Sequence, residues 1–85
     1  MKEFLYKIST KLKGEIKDPQ GEVVEKIASR LNISKNLKVK QGKFYEIKLK
    51  AENKNLADKE IEALIKNVLI NPIVETYTIE KIEEI

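Results

Sequence analysis

Leu37-Lys38-Val39-Lys40-Gln41-Gly42-Lys43-Phe44-Tyr45-Glu46-Ile47-Lys48-Leu49-Lys50 is the stretch on which the fold turns. Apolar residues alternate with lysines from Leu37 to Lys40. Alternation resumes from Tyr45 to Lys50, with Gln41-Gly42-Lys43 between. A period of two marks a strand with one face in a core. A glycine inside such a run marks a tight turn or a bend. The stretch reads either as two strands joined at Gln41-Gly42-Lys43 or as one long strand bent at Gly42.

Upstream, Phe4, Tyr6, Ile8, Thr10 and Leu12 share one face of a strand over Glu3 to Leu12. The period then changes. Val23, Val24, Ile27, Ala28 and Leu31 fall at helical spacing between Pro19 and Asn32, with Glu22, Glu25, Lys26 and Arg30 turned outward. Asp18 suits the N-cap of this helix, and Pro19 suits its first position, where a missing N–H costs nothing. Gly21 does not help the helix; in the first turn it costs roughly 1 kcal/mol relative to alanine. A glycine there points to the close approach of another backbone or of a partner.

Downstream, Leu56, Ile61, Leu64, Ile65, Val68 and Leu69 mark a second helix from Leu56 to Ile70, with Asn55 as its expected N-cap and Asp58 in its first turn. Pro72 ends it, because the residue before a proline avoids the helical region. Ile73 to Ile82 reads as a last strand of weak alternation, as if touched on both faces.

The order is β-α-β-β-α-β, the split βαβ pattern of ferredoxin-like domains. The expected class is α+β: a four-stranded antiparallel sheet with two helices on one face, its second and third strands separate or one long bent strand. Residues 1–85 make a single domain, too short for two cores. On the uncovered face we place Leu5 and Phe44 with Lys7, Ser9, Glu46 and Lys48, a mixed surface suited to a wet contact with a partner.

Composition excludes several kinds of chemistry. The chain has no histidine and no cysteine. The usual general base near neutral pH, the commonest metal ligand and any thiolate nucleophile are therefore missing. Metal-ligand spacing is absent, and Gly42-Lys43 lacks the earlier glycine of a phosphate-binding loop. Glu22 with Glu25, Asp58 with Glu62, and Glu83 with Glu84 occupy polar or terminal positions and read as solvated charges. No catalytic residue, no bound cofactor and no metal are expected.

Net charge is +3, but it is unevenly spread. Lysines dominate Asn36 to Lys50, and glutamates dominate Pro72 to Ile85. Nucleic-acid binding is not expected: Phe44 and Tyr45 are adjacent, so they point to opposite faces, and the same-face neighbour of Phe44 is Glu46, which repels phosphate. The N-terminus has no continuous apolar core, and no run approaches the roughly 20 apolar residues that span a bilayer. A soluble cytoplasmic protein without a membrane partner is expected.

Four segments, taken together, carry a resemblance. They are Asp18-Pro19-Gln20-Gly21, Val39-Lys40-Gln41-Gly42-Lys43, Tyr45-Glu46-Ile47 and Asn71-Pro72-Ile73-Val74-Glu75-Thr76-Tyr77. In length, order and spacing the whole chain resembles the PurS subunit family of phosphoribosylformylglycinamidine synthase. It departs from that family at Lys17, where an apolar residue is more usual, and at Leu31-Asn32-Ile33, where leucine-glycine-aromatic is common.

The resemblance implies a small non-catalytic subunit of de novo purine biosynthesis, working with a PurQ-type glutaminase and a PurL-type synthetase. These use ATP and glutamine, bound by the partners and not by this chain, to convert formylglycinamide ribonucleotide (FGAR) to formylglycinamidine ribonucleotide (FGAM). The small subunit would assist assembly and ammonia transfer between the two. It also implies a homodimer, possibly a tetramer. Asp18, Pro19, Gln20, Gly21, Gly42, Lys43, Phe44, Asn71 and Pro72 are the candidate partner- or dimer-contact residues; for Asn71 and Pro72 the local reading is structural, ending the second helix and aiming the last strand. The competing reading is a small-molecule sensor of the ACT type, which shares the strand order and uses a glycine turn after the first strand. Gly14 is its candidate here.

Overall fold

The computed structural model describes residues 1–14 and 16–85. Three strands, β1 (Lys2–Leu12), β2 (Gly42–Ala51) and β3 (Glu75–Glu84), form one antiparallel sheet in the order β2-β1-β3. Two helices, α1 (Pro19–Arg30) and α2 (Lys54–Leu64), lie between them in sequence. The α+β class and the antiparallel sheet are those expected, but the sheet described has three strands and not four, because the central alternating stretch supplies a single strand.

The register confirms which side chains share a face. Ser9 pairs with Phe44, Lys7 with Glu46 and Leu5 with Lys48, so the mixed surface read from sequence exists as drawn. On the other face Phe4, Tyr6 and Ile8 are buried with Ala51, Ala57, Ile61 and Ile65. Alternation on β1 thus became burial in the expected phase, because a one-residue slip would turn the whole apolar row to water.

Helix α2 packs over this core from the β2 side. Its N-cap is Asn53, whose side chain accepts from the Leu56 N–H at 3.0 Å, two residues earlier than the expected Asn55. The longer helix lets Lys54 reach Asp58 at 2.9 Å one turn on. Asp58 also accepts from the Tyr6 hydroxyl at 2.6 Å, so it serves a core tyrosine and not the helix dipole. That bond holds the Asp58 carboxyl below the usual range, and burial pushes the Tyr6 phenol above its own. The helix closes in a π turn over Ile65–Leu69, with Ile70 donating to the Ile65 carbonyl at 3.1 Å. The extra residue in that turn sets both Leu69 and Ile70 against the core.

Residues 37–41 do not join the sheet, which corrects the first half of the reading of the central stretch. Their amides are taken elsewhere. Val39 N–H goes to the Glu25 carboxylate at 3.0 Å and Gln41 N–H to the Asp18 carboxylate at 2.7 Å. The segment runs along α1, and pairing there would sacrifice both bonds. Helix α1 is consequently held by its own returning chain and, among the described residues, makes no extensive packing with any strand, so the cover on the core face is α2, over its β2 side. The Cα radius of gyration is 16.7 Å, against about 12 Å for a compact chain of this length.

The weak alternation near the C-terminus has a local cause. Lys7 pairs with Lys81 but Ile8 with Ile79, so Glu80 is an extra residue in β3. This bulge re-phases the strand, placing Tyr77, Ile79 and Ile82 on one face despite their uneven spacing. Two-sided contact is not the reason. The strand also begins two residues later than expected, because Pro72 to Val74 form a turn.

Helix α1 ends in a paired closure: Ile33 N–H bonds the Ala28 carbonyl at 2.9 Å and Asn32 N–H the Ser29 carbonyl at 3.1 Å. This requires left-handed backbone at Asn32, whose φ is 60°. Asparagine tolerates that region better than any other side chain, which explains how the chain dispenses with the usual glycine. Asn32→Gly should leave stability within about 0.5 kcal/mol of the parent, whereas Asn32→Val should cost roughly 1–2 kcal/mol, read from urea midpoints.

Candidate functional site

The N-terminus of α1 is built around one carboxylate. Asp18 caps the helix by accepting from Gly21 N–H at 3.0 Å with Oδ1, while Oδ2 accepts from Gln41 N–H at 2.7 Å. The Gly21 bond first, then the Gln41 bond, holds the Asp18 carboxyl below its ordinary range. Asp18 is a clamp between two segments, and a carboxylate so engaged has no role as a base at neutral pH.

Gly21 has the close approach its sequence context suggested, and the neighbour is the chain itself. A Cβ there would lie 2.1 Å from the Val39 carbonyl oxygen. Gly42 is similar: a Cβ would stand 2.1 Å from the Thr10 carbonyl oxygen, where β2 enters the sheet beside β1. The returning segment is further fixed by Lys40, whose ammonium donates to the Lys13 and Gly14 carbonyls at 3.2 and 3.1 Å.

These approaches leave a cleft of about 450 Å³ between the end of β1, the start of α1 and the start of β2. Asp18, Pro19, Gln20, Gly42 and Lys43 line it, together with Thr10, Lys11, Leu12, Gln41 and Glu75. Gly21 lies buried behind the lining. A second cleft of about 390 Å³ shares Thr10, Lys11, Gly42 and Lys43, and adds Phe44 on the open sheet face. Phe44 is exposed there, while Tyr45 packs toward the core.

Asn71 and Pro72 line neither cleft. Asn71 instead shapes the entry to β3: its carbonyl accepts from Val74 and Glu75, and its side chain from Ile73. Glu75, a cleft residue, returns a bond to the Asn71 N–H at 2.8 Å. Lys13 N–H bonds the Val74 carbonyl at 2.9 Å, tying this turn to the end of β1.

Sequence reasoning missed Thr10, Lys11, Leu12 and Gln41 as lining residues. The first three read only as strand, and Gln41 as turn and as part of a segment carrying the resemblance. Glu75 stood inside one of the segments carrying the resemblance, yet nothing local showed that it faces the cleft.

Chemically the site offers shape, amide groups and mixed charge. Among the described residues no cluster of three or more His, Cys, Asp or Glu side chains could hold a metal, and no helix is long and apolar enough to cross a membrane. Among the described residues, the carboxylates Asp18 and Asp58 are both pushed down and both hydrogen-bonded. Fold and site together define a small α+β domain with a preformed cleft shaped by backbone.

The chain belongs to the PurS family. The profile of that family, described as phosphoribosylformylglycinamidine (FGAM) synthase, matches residues 5–83. The PurS subunit of phosphoribosylformylglycinamidine synthase from Thermotoga maritima is 31% identical over 82 residues, covering 93% of this chain and 96% of that one. Among solved structures, PurS of Thermus thermophilus superposes with a TM-score of 0.78 at 32% identity, covering 98% of each chain. A chain of the PurLQS structure from Thermotoga maritima gives 0.82 at 27% identity, over 100% of both. The ACT-type reading is not favoured by these matches. Its candidate glycine, Gly14, has nothing within 4 Å of a Cβ position, so no close approach demands it.

Gly21→Ala should therefore destabilise the fold by about 1–3 kcal/mol through overpacking on Val39, whereas Gly14→Ala should stay within about 0.5 kcal/mol. Asp18 supplies a pH signature. Its folded pKa lies below the unfolded value, so its contribution is complete above about pH 4 and is lost as pH falls through the folded pKa. Thermal melts of Asp18→Asn should be less stable at neutral pH and should vary less below about pH 4 than those of the parent.

Proposed function

We propose that this chain is the small PurS subunit of an FGAM synthase, in which FGAR, ATP and glutamine yield FGAM during purine biosynthesis. In this reading it acts in the cytoplasm as a bridge between a PurQ-type glutaminase and a PurL-type synthetase. It promotes their assembly and helps ammonia pass between them without escape. The observation that carries the reading is the full-length likeness to a chain of a PurLQS structure, over every element described above.

The residue inventory supports a non-catalytic role. Glutamine hydrolysis needs a cysteine nucleophile, and this chain has neither cysteine nor histidine. That group must come from the glutaminase, and ATP and glutamine bind to the partners. As the family resemblance implies, the chain functions as a homodimer, which can pair further into a tetramer; the apolar surface left uncovered on α1 in one copy supports self-association.

The cleft between α1 and β2, with the second cleft that adjoins it on the open sheet face, is the partner-contact surface in this proposal; Pro19, Gln20 and Lys43 are accessible members of the first and Phe44 of the second. Gly21 and Gly42 shape it from behind, and Asn71 and Pro72 aim the strand that carries Glu75. A bulky side chain at buried Gly21 would break the turn itself, so exposed lining residues make the informative variants.

The test is reconstitution with PurQ-type and PurL-type subunits. Omitting this chain should lower the glutamine-dependent rate of FGAM formation by on the order of 10-fold or more, while the ammonia-dependent rate changes far less. Gln20→Ala with Lys43→Glu should weaken complex formation roughly 5–10-fold at unchanged melting temperature, about 1 kcal/mol of contact. An unchanged glutamine-dependent rate without the chain would overturn the proposal.

A further inference from the structure

Two apolar surfaces of this chain lack a cover, and they match. On α1 and its C-cap, Val23, Val24, Ile27 and Leu31 form one stripe about 100° wide, each residue at least 41% exposed. The adjoining side of the helix, at Gly21, Glu25 and Ala28, is occupied by the returning 33–41 segment through the Val39 and Ala28 contacts. Those bonds hold α1 away from its own sheet.

On the sheet, α2 leaves β3 open. A groove of about 250 Å³ runs between them, lined mainly by Tyr6, Ile61, Ile65, Tyr77, Ile79 and Ile82. Ile79 and Ile82 are each 39% exposed, although they stand on the core face of the sheet. In a split βαβ domain two helices cover that face; here only one does.

Size and charge agree with a helix as occupant. The β3 row from Tyr77 to Ile82 is about 17 Å long, and a helix of 12 residues is about 18 Å. Lys26 and Arg30 flank the α1 stripe one turn apart and have no ion pair among the described residues. Glu84 closes one end of the β3 row on the same face, with a 3.9 Å pairing with Lys2 as its ion pair among the described residues.

We infer that α1 of one copy lies in the α2–β3 groove of a second copy, and that the second copy returns the contact across a two-fold axis. Both uncovered surfaces are thereby buried twice over, as an isologous interface requires. The inference rests on the homodimer reading above and adds which surfaces meet.

The chain's lack of cysteine makes the test direct. Ile27→Cys and Ile79→Cys are prepared as separate single variants, mixed after unfolding and refolding together, and treated with a short bis-maleimide. The expected product is a covalent dimer containing one copy of each variant, formed far more readily than by either variant alone. The double variant should likewise link between chains. A double variant that links only within one chain would show that α1 folds back on its own sheet, and the exchange would be wrong. A dimer by sedimentation that yields no cross-link would also defeat the exchange but leave the homodimer standing. A monomer by sedimentation would remove both. In addition, Ile27→Asp should raise the dimer dissociation constant roughly 30-fold or more with the circular dichroism spectrum retained; unchanged dimerisation would count against the inference.

Discussion

Asp18 holds two backbone segments with one side chain, and the architecture depends on it. One oxygen finishes the first turn of α1; the other fixes the segment that leads into β2. Because the carboxylate meets backbone amides, the tie is directional and charge-assisted, stronger than a contact between neutral groups. It also commits residues 37–41. Their amides face the helix, so the alternation of Leu37 and Val39 with lysines never becomes a ladder. A segment that looks like an edge strand becomes the backing of a helix.

Gly21 follows from the same constraint. The Asp18 clamp brings the Val39 carbonyl against the first turn of α1, and only a residue without a side chain fits beneath it. The helix propensity lost at this position is offset by the close approach. Gly42 plays the equivalent part at the sheet entrance. Two glycines and one aspartate therefore set the cleft walls, and the side chains around it are free to serve recognition.

Much of this was legible in the sequence, and the limits have physical causes. The β1 row, the α1 cap at Asp18-Pro19 and the open face of Leu5 and Phe44 were local patterns, and each appears in the expected place. The need for glycine at position 21 was also readable, though whether the neighbour was the chain or a partner was not. The fate of residues 37–41 was hidden because it depends on hydrogen bonds to Glu25 and Asp18, far apart in sequence. The Glu80 bulge was hidden because an inserted residue resembles noise in a period-two pattern. Asn53 was passed over as a cap in favour of Asn55, since both are good caps and only the Tyr6–Asp58–Lys54 network favours the longer helix. Cleft residues such as Thr10 and Glu75 were missed because strand residues become a surface only when the sheet and the helix end are seen together.

Glu80 has a last consequence. β3 is an outer strand, and an outer strand with free amides and carbonyls can recruit further strands without limit. The extra residue breaks the regular spacing of those groups, and Ser9 anchors the Glu80 carboxylate at 2.7 Å on the adjacent strand. With Glu83 and Glu84 close by, a second identical edge meets both a kink and like charge. Sheet-to-sheet pairing of one β3 edge with another is thereby discouraged.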